Sequence, residues 1–169
     1  MDKGAPLSVR MVVARWGTAQ WPSVLTSLWM AVLLGGLVWL DRSGNGIFLV
    51  PPFAASLAIL AYLSEVQIAQ PLAVVCGSVA GTVIGTLFVT VFGLGPGVAM
   101  LAALSAVIIL PLLRIFHPPG IALAMYPALL HPGLFFAIRV VLPFMLVAVI
   151  SAAIMSRMLS SFPRYPKPI

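Results

Sequence analysis

The chain is short of charge, and shortest of acid. Of 169 residues only 7% are charged and only three are acidic, against roughly 25% charged in soluble domains. Hydrophobic residues make up 62% and mean hydropathy is +1.18. That composition belongs in a bilayer rather than in water. A single cysteine, Cys76, excludes a disulfide framework or a cysteine-based metal site within one chain. The two histidines, His117 and His131, lie 14 apart with no third ligand close in sequence, so no metal is expected. No Ser/His/Asp arrangement, phosphate-binding loop or His-Glu-x-x-His run occurs, which makes an enzyme the poorest fit and implies no cofactor. A net charge of +6 would suggest nucleic acid in a soluble protein. Here the basic residues gather at the two ends and read as topology signals, so no nucleic-acid partner is expected.

What is present is a series of apolar segments punctuated by proline. Residues 1–21, with Arg10, Arg15, Trp16 and Trp21, suit a short helix lying at the interface. A cleaved signal peptide is the alternative, discounted because no soluble domain follows. Residues 22–40 form a spanning segment that ends at the polar turn Asp41–Gly46. Next, Pro51-Pro52 opens a stretch of only 12 residues from Pro52 to Leu63, ~18 Å of helix against a hydrocarbon core of ~30 Å. A span at 71–92 carries Gly77, Gly81 and Gly85 four apart, beside hydroxyls at Ser78, Thr82, Thr86 and Thr90. Four-spaced glycines let another helix approach closely, inside the subunit or between subunits, so a homo-oligomer is expected. After Gly93–Gly97 a further span runs from Val98 until Pro111, which is expected to end it and leave Leu112 to His117 extended. Pro118-Pro119 restarts a short helix to about Leu130, and the last span covers 134–156.

These features predict one all-α, polytopic transmembrane domain over 1–169, built from two similar halves at about 22–92 and 98–156. Each half holds a Pro-Pro-interrupted short helix, either a half-helix or a re-entrant one. Pro51, Pro52, Ala55, Ala61 and Leu63 recur 67 residues later. Six of the nine Lys/Arg lie in the terminal regions, which predicts both termini on the cytoplasmic side of a cell (inner) membrane. The chain must then cross an even number of times. Four crossings make the halves parallel and six make them inverted, with six preferred because Arg114 then falls on the cytoplasmic half.

The stretch Arg114–Gly120 is the focus of the site reading. Two short-helix N-termini with unpaired N–H groups would form an anion site in mid-membrane without a lysine. The candidate substrate residues are Arg114, His117, Pro118, Pro119, Gly120, Pro52, Ser56 and Arg139. Gly120 would leave room for a ligand to approach backbone N–H groups. Arg114 and Arg139 would add full charge, or else snorkel to a headgroup. His117 reads as a proton carrier or as a group that bonds carbonyls around the chain break, and His131 as part of an interface turn.

With those residues in view, the chain resembles the HPP family of small integral membrane proteins, named for the tripeptide seen here as His117-Pro118-Pro119. Pro52-Phe53-Ala54-Ala55-Ser56 is similar to the family's small-residue segment, and Ala69-Gln70-Pro71 to its Ala-Gln-Pro signature. Cys76-Gly77-Ser78 lies where the family has a Gly-rich run. Leu72 and Ser78 depart from the pattern, standing where an Arg and a His are expected. The resemblance implies a compact bundle, described for the family as four spans, and transport of a small monovalent anion. Nitrite is the best guess, from the plastid and cyanobacterial members. The competing reading is a non-transporting membrane subunit or adaptor that acts through the glycine ridge.

Overall fold

The computed structural model describes residues 23–42 and 51–166. The expected interfacial helix, the 43–46 turn and the run before Pro51 lie outside the described residues. Six helices are seen and, among the described residues, no strand. They are α1 (Val24–Arg42), α2 (Pro51–Tyr62), α3 (Pro71–Phe92), α4 (Pro96–Leu112), α5 (Pro118–Leu130) and α6 (Leu142–Met158). A 3-10 turn, Gln67–Ala69, leads into α3, and a π-helical turn, Ala137–Val141, runs straight into α6.

Proline sets most of these boundaries. Pro51, Pro71, Pro96 and Pro118 each begin a helix, where a missing N–H goes unnoticed. Pro143 explains the π turn. It has no N–H for the Arg139 carbonyl, and Leu142 N–H instead reaches back five residues to Ala137. Pro111 does less than expected. The helix continues to Leu112, because Leu113 N–H still reaches the Ile109 carbonyl at 3.0 Å and Arg114 N–H reaches Pro111 at 2.9 Å. Arg114 then turns the chain with a φ of 57°, and only Ile115–His117 is extended.

Three helical runs, Val24–Asp41, Pro71–Phe92 and Ala137–Met158, are long and apolar enough to cross a membrane. The 22 residues of α3 amount to ~33 Å. In contrast α2 and α5, with 12 and 13 residues, reach only ~20 Å. Large apolar side chains such as Leu87, Val91, Leu104, Ile108, Val147 and Ile150 face outward. Helices that are apolar on their outer faces as well as their inner ones are lipid-facing.

Contacts fix the direction of each helix. Gly77 of α3 lies against His117, and Gly85 against Ala124 and Pro127, so α3 and α5 run parallel. Gly95 N–H bonds the Ala128 carbonyl at 3.2 Å, which ties the start of α4 to the far end of α5 and makes α4 antiparallel. Leu134 sits with Thr86 and Val89 near the end of α3, so α6 departs from that end. Trp29 of α1 donates to Ser151 Oγ at 3.0 Å and stacks edge-on with Phe162 at 5.4 Å. The start of α1 therefore lies beside the end of α6. Beyond α6 the tail folds back: Phe162 and Tyr165 are buried, and Tyr165 N–H bonds Ser156 Oγ at 2.8 Å. Burial holds the Tyr165 phenol above its ordinary range.

The glycine ridge is spent inside the chain. A methyl on Gly77 would strike the Ile115 carbonyl, one on Gly81 the Gly120 carbonyl, and one on Gly85 the Ala124 carbonyl. Backbone meets backbone along the whole α3–α5 seam. Within the chain, α5 occupies the groove along this ridge. Residues related by the 67-residue offset make related contacts: Phe53 stacks on Phe144 at 4.4 Å, where their counterparts are Gly120 and Gly77.

Candidate functional site

The polar centre of the bundle is built on His117. It is the N-cap of α5, extended with φ −135° and ψ 110°, and its side chain is fully buried. The extended Ile115–His117 segment carries the ring under α2, and Gly77, with no side chain, lets its Cβ pass close to α3. Nδ1 lies 2.8 Å from the Ile68 carbonyl on the 3-10 turn. Nε2 lies 2.9 Å from Ser56 Oγ, and Ser56 in turn reaches the Pro52 carbonyl at 2.9 Å. Ser56 is one turn into α2 and also fully buried. One ring thus joins the opening turns of the two short helices and the connection into α3.

Of the residues expected at the site, His117, Ser56 and Pro52 come together, with Pro118, Pro119 and Gly120 continuing directly into α5. The helix start itself is poor in donors. Pro118 and Pro119 have no N–H, and Gly120 N–H is taken by the His117 carbonyl at 2.8 Å. Nor does Gly120 leave space for a ligand, since a methyl there would meet the Gly77 carbonyl of α3. The start of α5 therefore offers no cradle of free backbone N–H groups.

Neither arginine joins the cluster. Arg114 is exposed on the left-handed turn, which points it away from the core three residues before His117. Arg139 is exposed at the π turn, 5.0 Å over the Phe135 ring. There it lines the mouth of a cleft of about 240 Å³ between α1 and α6. Arg114→Gln is therefore expected to leave solute flux through reconstituted protein unchanged. A loss beyond about tenfold, 1.4 kcal/mol of barrier, would return Arg114 to the site.

Three further hydroxyls, outside the expected set, lie along α3. Ser78 is fully buried beside Gly77, and its Oγ has no hydrogen-bond partner. Thr82, one turn on, is also buried and donates to the Ser78 carbonyl at 2.9 Å, and Thr86 repeats the pattern at 3.0 Å. Thr86 lines a cleft of about 160 Å³ with Pro127, His131 and Gly133. The four-residue spacing of these hydroxyls is visible in the sequence; the Ile68 carbonyl, a backbone group, leaves no such mark. No group of three or more metal-ligating side chains occurs among the described residues.

Apolar helices with outward-facing aliphatics, wrapped around a few buried polar groups, define a multi-pass integral membrane protein. The chain belongs to the HPP family: the family model described as "HPP, transmembrane region" matches residues 11–166. Comparisons with curated proteins and with solved structures gave no match.

Proposed function

We propose that the protein is a transporter or channel for a small monovalent anion, with nitrite the first candidate through the family resemblance. The observation that carries this reading is the His117–Ser56 pair, a buried ionisable ring joined to a hydroxyl across two proline-opened short helices. Ionisable groups at such depth are costly, and they mark solute or proton pathways. Short interrupted helices in corresponding positions of two halves likewise mark transporter sites. Ser78, whose buried Oγ has no partner, can offer a donor to an anion without a lysine, and the His117–Ser56 pair can supply charge. Thr82 and Thr86 continue that polar line toward the cleft at His131. The adaptor reading rested on the glycine ridge, which α5 covers.

The same reading takes the two halves as inverted repeats. The Phe53–Phe144 contact and the Gly120–Gly77 contact exchange under the 67-residue offset, as a two-fold relation between the halves requires, and the opposite directions of α3 and α6 favour an axis in the membrane plane. Alternating helix directions support a start of α1 and an end of α6 on one face, and the basic residues of the terminal regions favour the cytoplasmic one. In a Cys76→Ser background, cysteines at positions 2 and 168 are expected to label from the same side. Labelling from opposite faces would overturn the six-crossing arrangement.

Flux is the decisive measurement. Proteoliposomes of the purified protein are expected to take up nitrite, nitrate, formate or chloride faster than empty liposomes. Rates equal to empty liposomes for all four would remove the transport reading.

A further inference from the structure

Three hydrogen bonds run between two backbone carbonyls through His117 and Ser56, and a neutral pair holds protons for only two of them. The Ile68 carbonyl can only accept, so the 2.8 Å contact places a proton on Nδ1. A neutral imidazole then presents Nε2 as an acceptor. Ser56 has one hydroxyl proton and two acceptors for it, the Pro52 carbonyl at 2.9 Å and Nε2 at 2.9 Å. Whichever it serves, the other contact is a pair of acceptors with nothing between them. A third proton, on Nε2, completes the chain: Nδ1–H to Ile68, Nε2–H to Ser56 Oγ, Oγ–H to Pro52. The ring is then a cation.

Among the described residues, that cation meets no carboxylate. Asp41 and Glu65 are the acids among the described residues, and both are exposed while His117 is fully buried. Facing the ring are Ser56 of α2, the Ile68 carbonyl and Gly77 of α3. The titratable groups on the surrounding elements are Tyr62, Glu65, Cys76 and Arg114, all exposed, and Tyr126, half-buried two turns along α5. Burying an unpaired charge costs several kcal/mol even after relaxation, so the third proton calls for a counter-ion, which none of the described residues supplies. Ser78 supplies the second sign of one. Its buried hydroxyl, next to the glycine that backs the ring, has no partner.

Resting on the anion reading above, we infer that His117 takes up a proton together with the anion, so that solute crosses as a neutral anion–proton pair. The proton comes from hydronium on the entry side, where an O–H bond breaks as the Nε2–H bond forms and water is left behind; on the other side Nε2–H gives the proton back to water as the anion leaves, so the imidazole ends neutral. Ser78 Oγ–H is the hydroxyl donor to the bound anion. Each partner raises the affinity of the other by the same factor, as linkage requires.

The test uses the full chain carrying His131→Asn, which leaves His117 as the one histidine. Asparagine accepts the left-handed conformation found at 131. With 15N-labelled histidine in lipid bilayers, saturating nitrite is expected to convert the ring from the neutral to the doubly protonated form. Nitrite affinity is expected to fall about tenfold for each unit rise in pH. A ring that stays neutral at saturating nitrite overturns the inference. In proteoliposomes with an internal pH dye, flux should acidify the lumen. Flux that follows the membrane potential without acidification overturns the proton pairing and leaves anion transport standing. No flux of any of the four anions overturns the transport reading itself.

Discussion

Gly81→Leu is expected to abolish folding, not to reduce an oligomer to its subunits. The Gly81 Cα faces the Gly120 carbonyl across a seam where backbones touch. The obstacle is main chain, so no rotamer change can relieve it, and α5 must move away from α3. Even the single methyl of Gly81→Ala should cost at or beyond the upper end of roughly 1–3 kcal/mol. Four extra carbons would displace α5, and with it the N-cap that places His117. Size-exclusion chromatography in mild detergent should show aggregate or no recoverable protein for Leu, and a lowered thermal midpoint for Ala. A folded Gly81→Leu protein of smaller mass would put the ridge back between subunits.

His117→Ala is expected to cost roughly 3–5 kcal/mol. It strands the part-buried Ile68 carbonyl, worth up to about 1–3 kcal/mol, and leaves a cavity where a fully buried ring stood. His117→Asn separates these effects. Its amide N–H₂ occupies nearly the place of Nδ1 and can still donate to Ile68, while the reach to Ser56 is lost. Asn should therefore recover part of the lost stability in a thermal melt without recovering pH-dependent solute binding. Equal stability of His117→Ala and wild type would mean that the ring does not bridge α2, α5 and the 3-10 turn.

The helices were legible because proline writes their starts in plain sequence. Pro51, Pro71 and Pro118 mark boundaries that the structure keeps. Pro111 misled because a proline in a last turn removes one bond and the turn closes around it. Gly77, Gly81 and Gly85 announced a close contact but not its partner, since small residues state only that something comes near. The site was half legible. His117 and Ser56 stand out as polar residues in apolar stretches. Arg114 stood out equally, yet a single left-handed residue turns it outward, and backbone handedness at a non-glycine position has no sequence signature. The prolines suggested free N–H groups at the helix start, when Pro118 and Pro119 remove the very donors that such a site needs.

The clasp of Trp29 on Ser151 and Phe162 has a consequence for connectivity. It brings the start of α1 next to the end of α6, while the turn at 93–95 lies at the other end of the bundle. The order of helices from α1 to α6 is thus nearly a closed loop, and the choice of where to cut it is separate from the packing. Joining the two ends with a linker and opening the loop at Leu94 would exchange the order of the three-helix halves with every helix kept among its neighbours. The new ends would emerge on the opposite face, so such a permuted chain would have to enter the membrane the other way round to reach the same bundle.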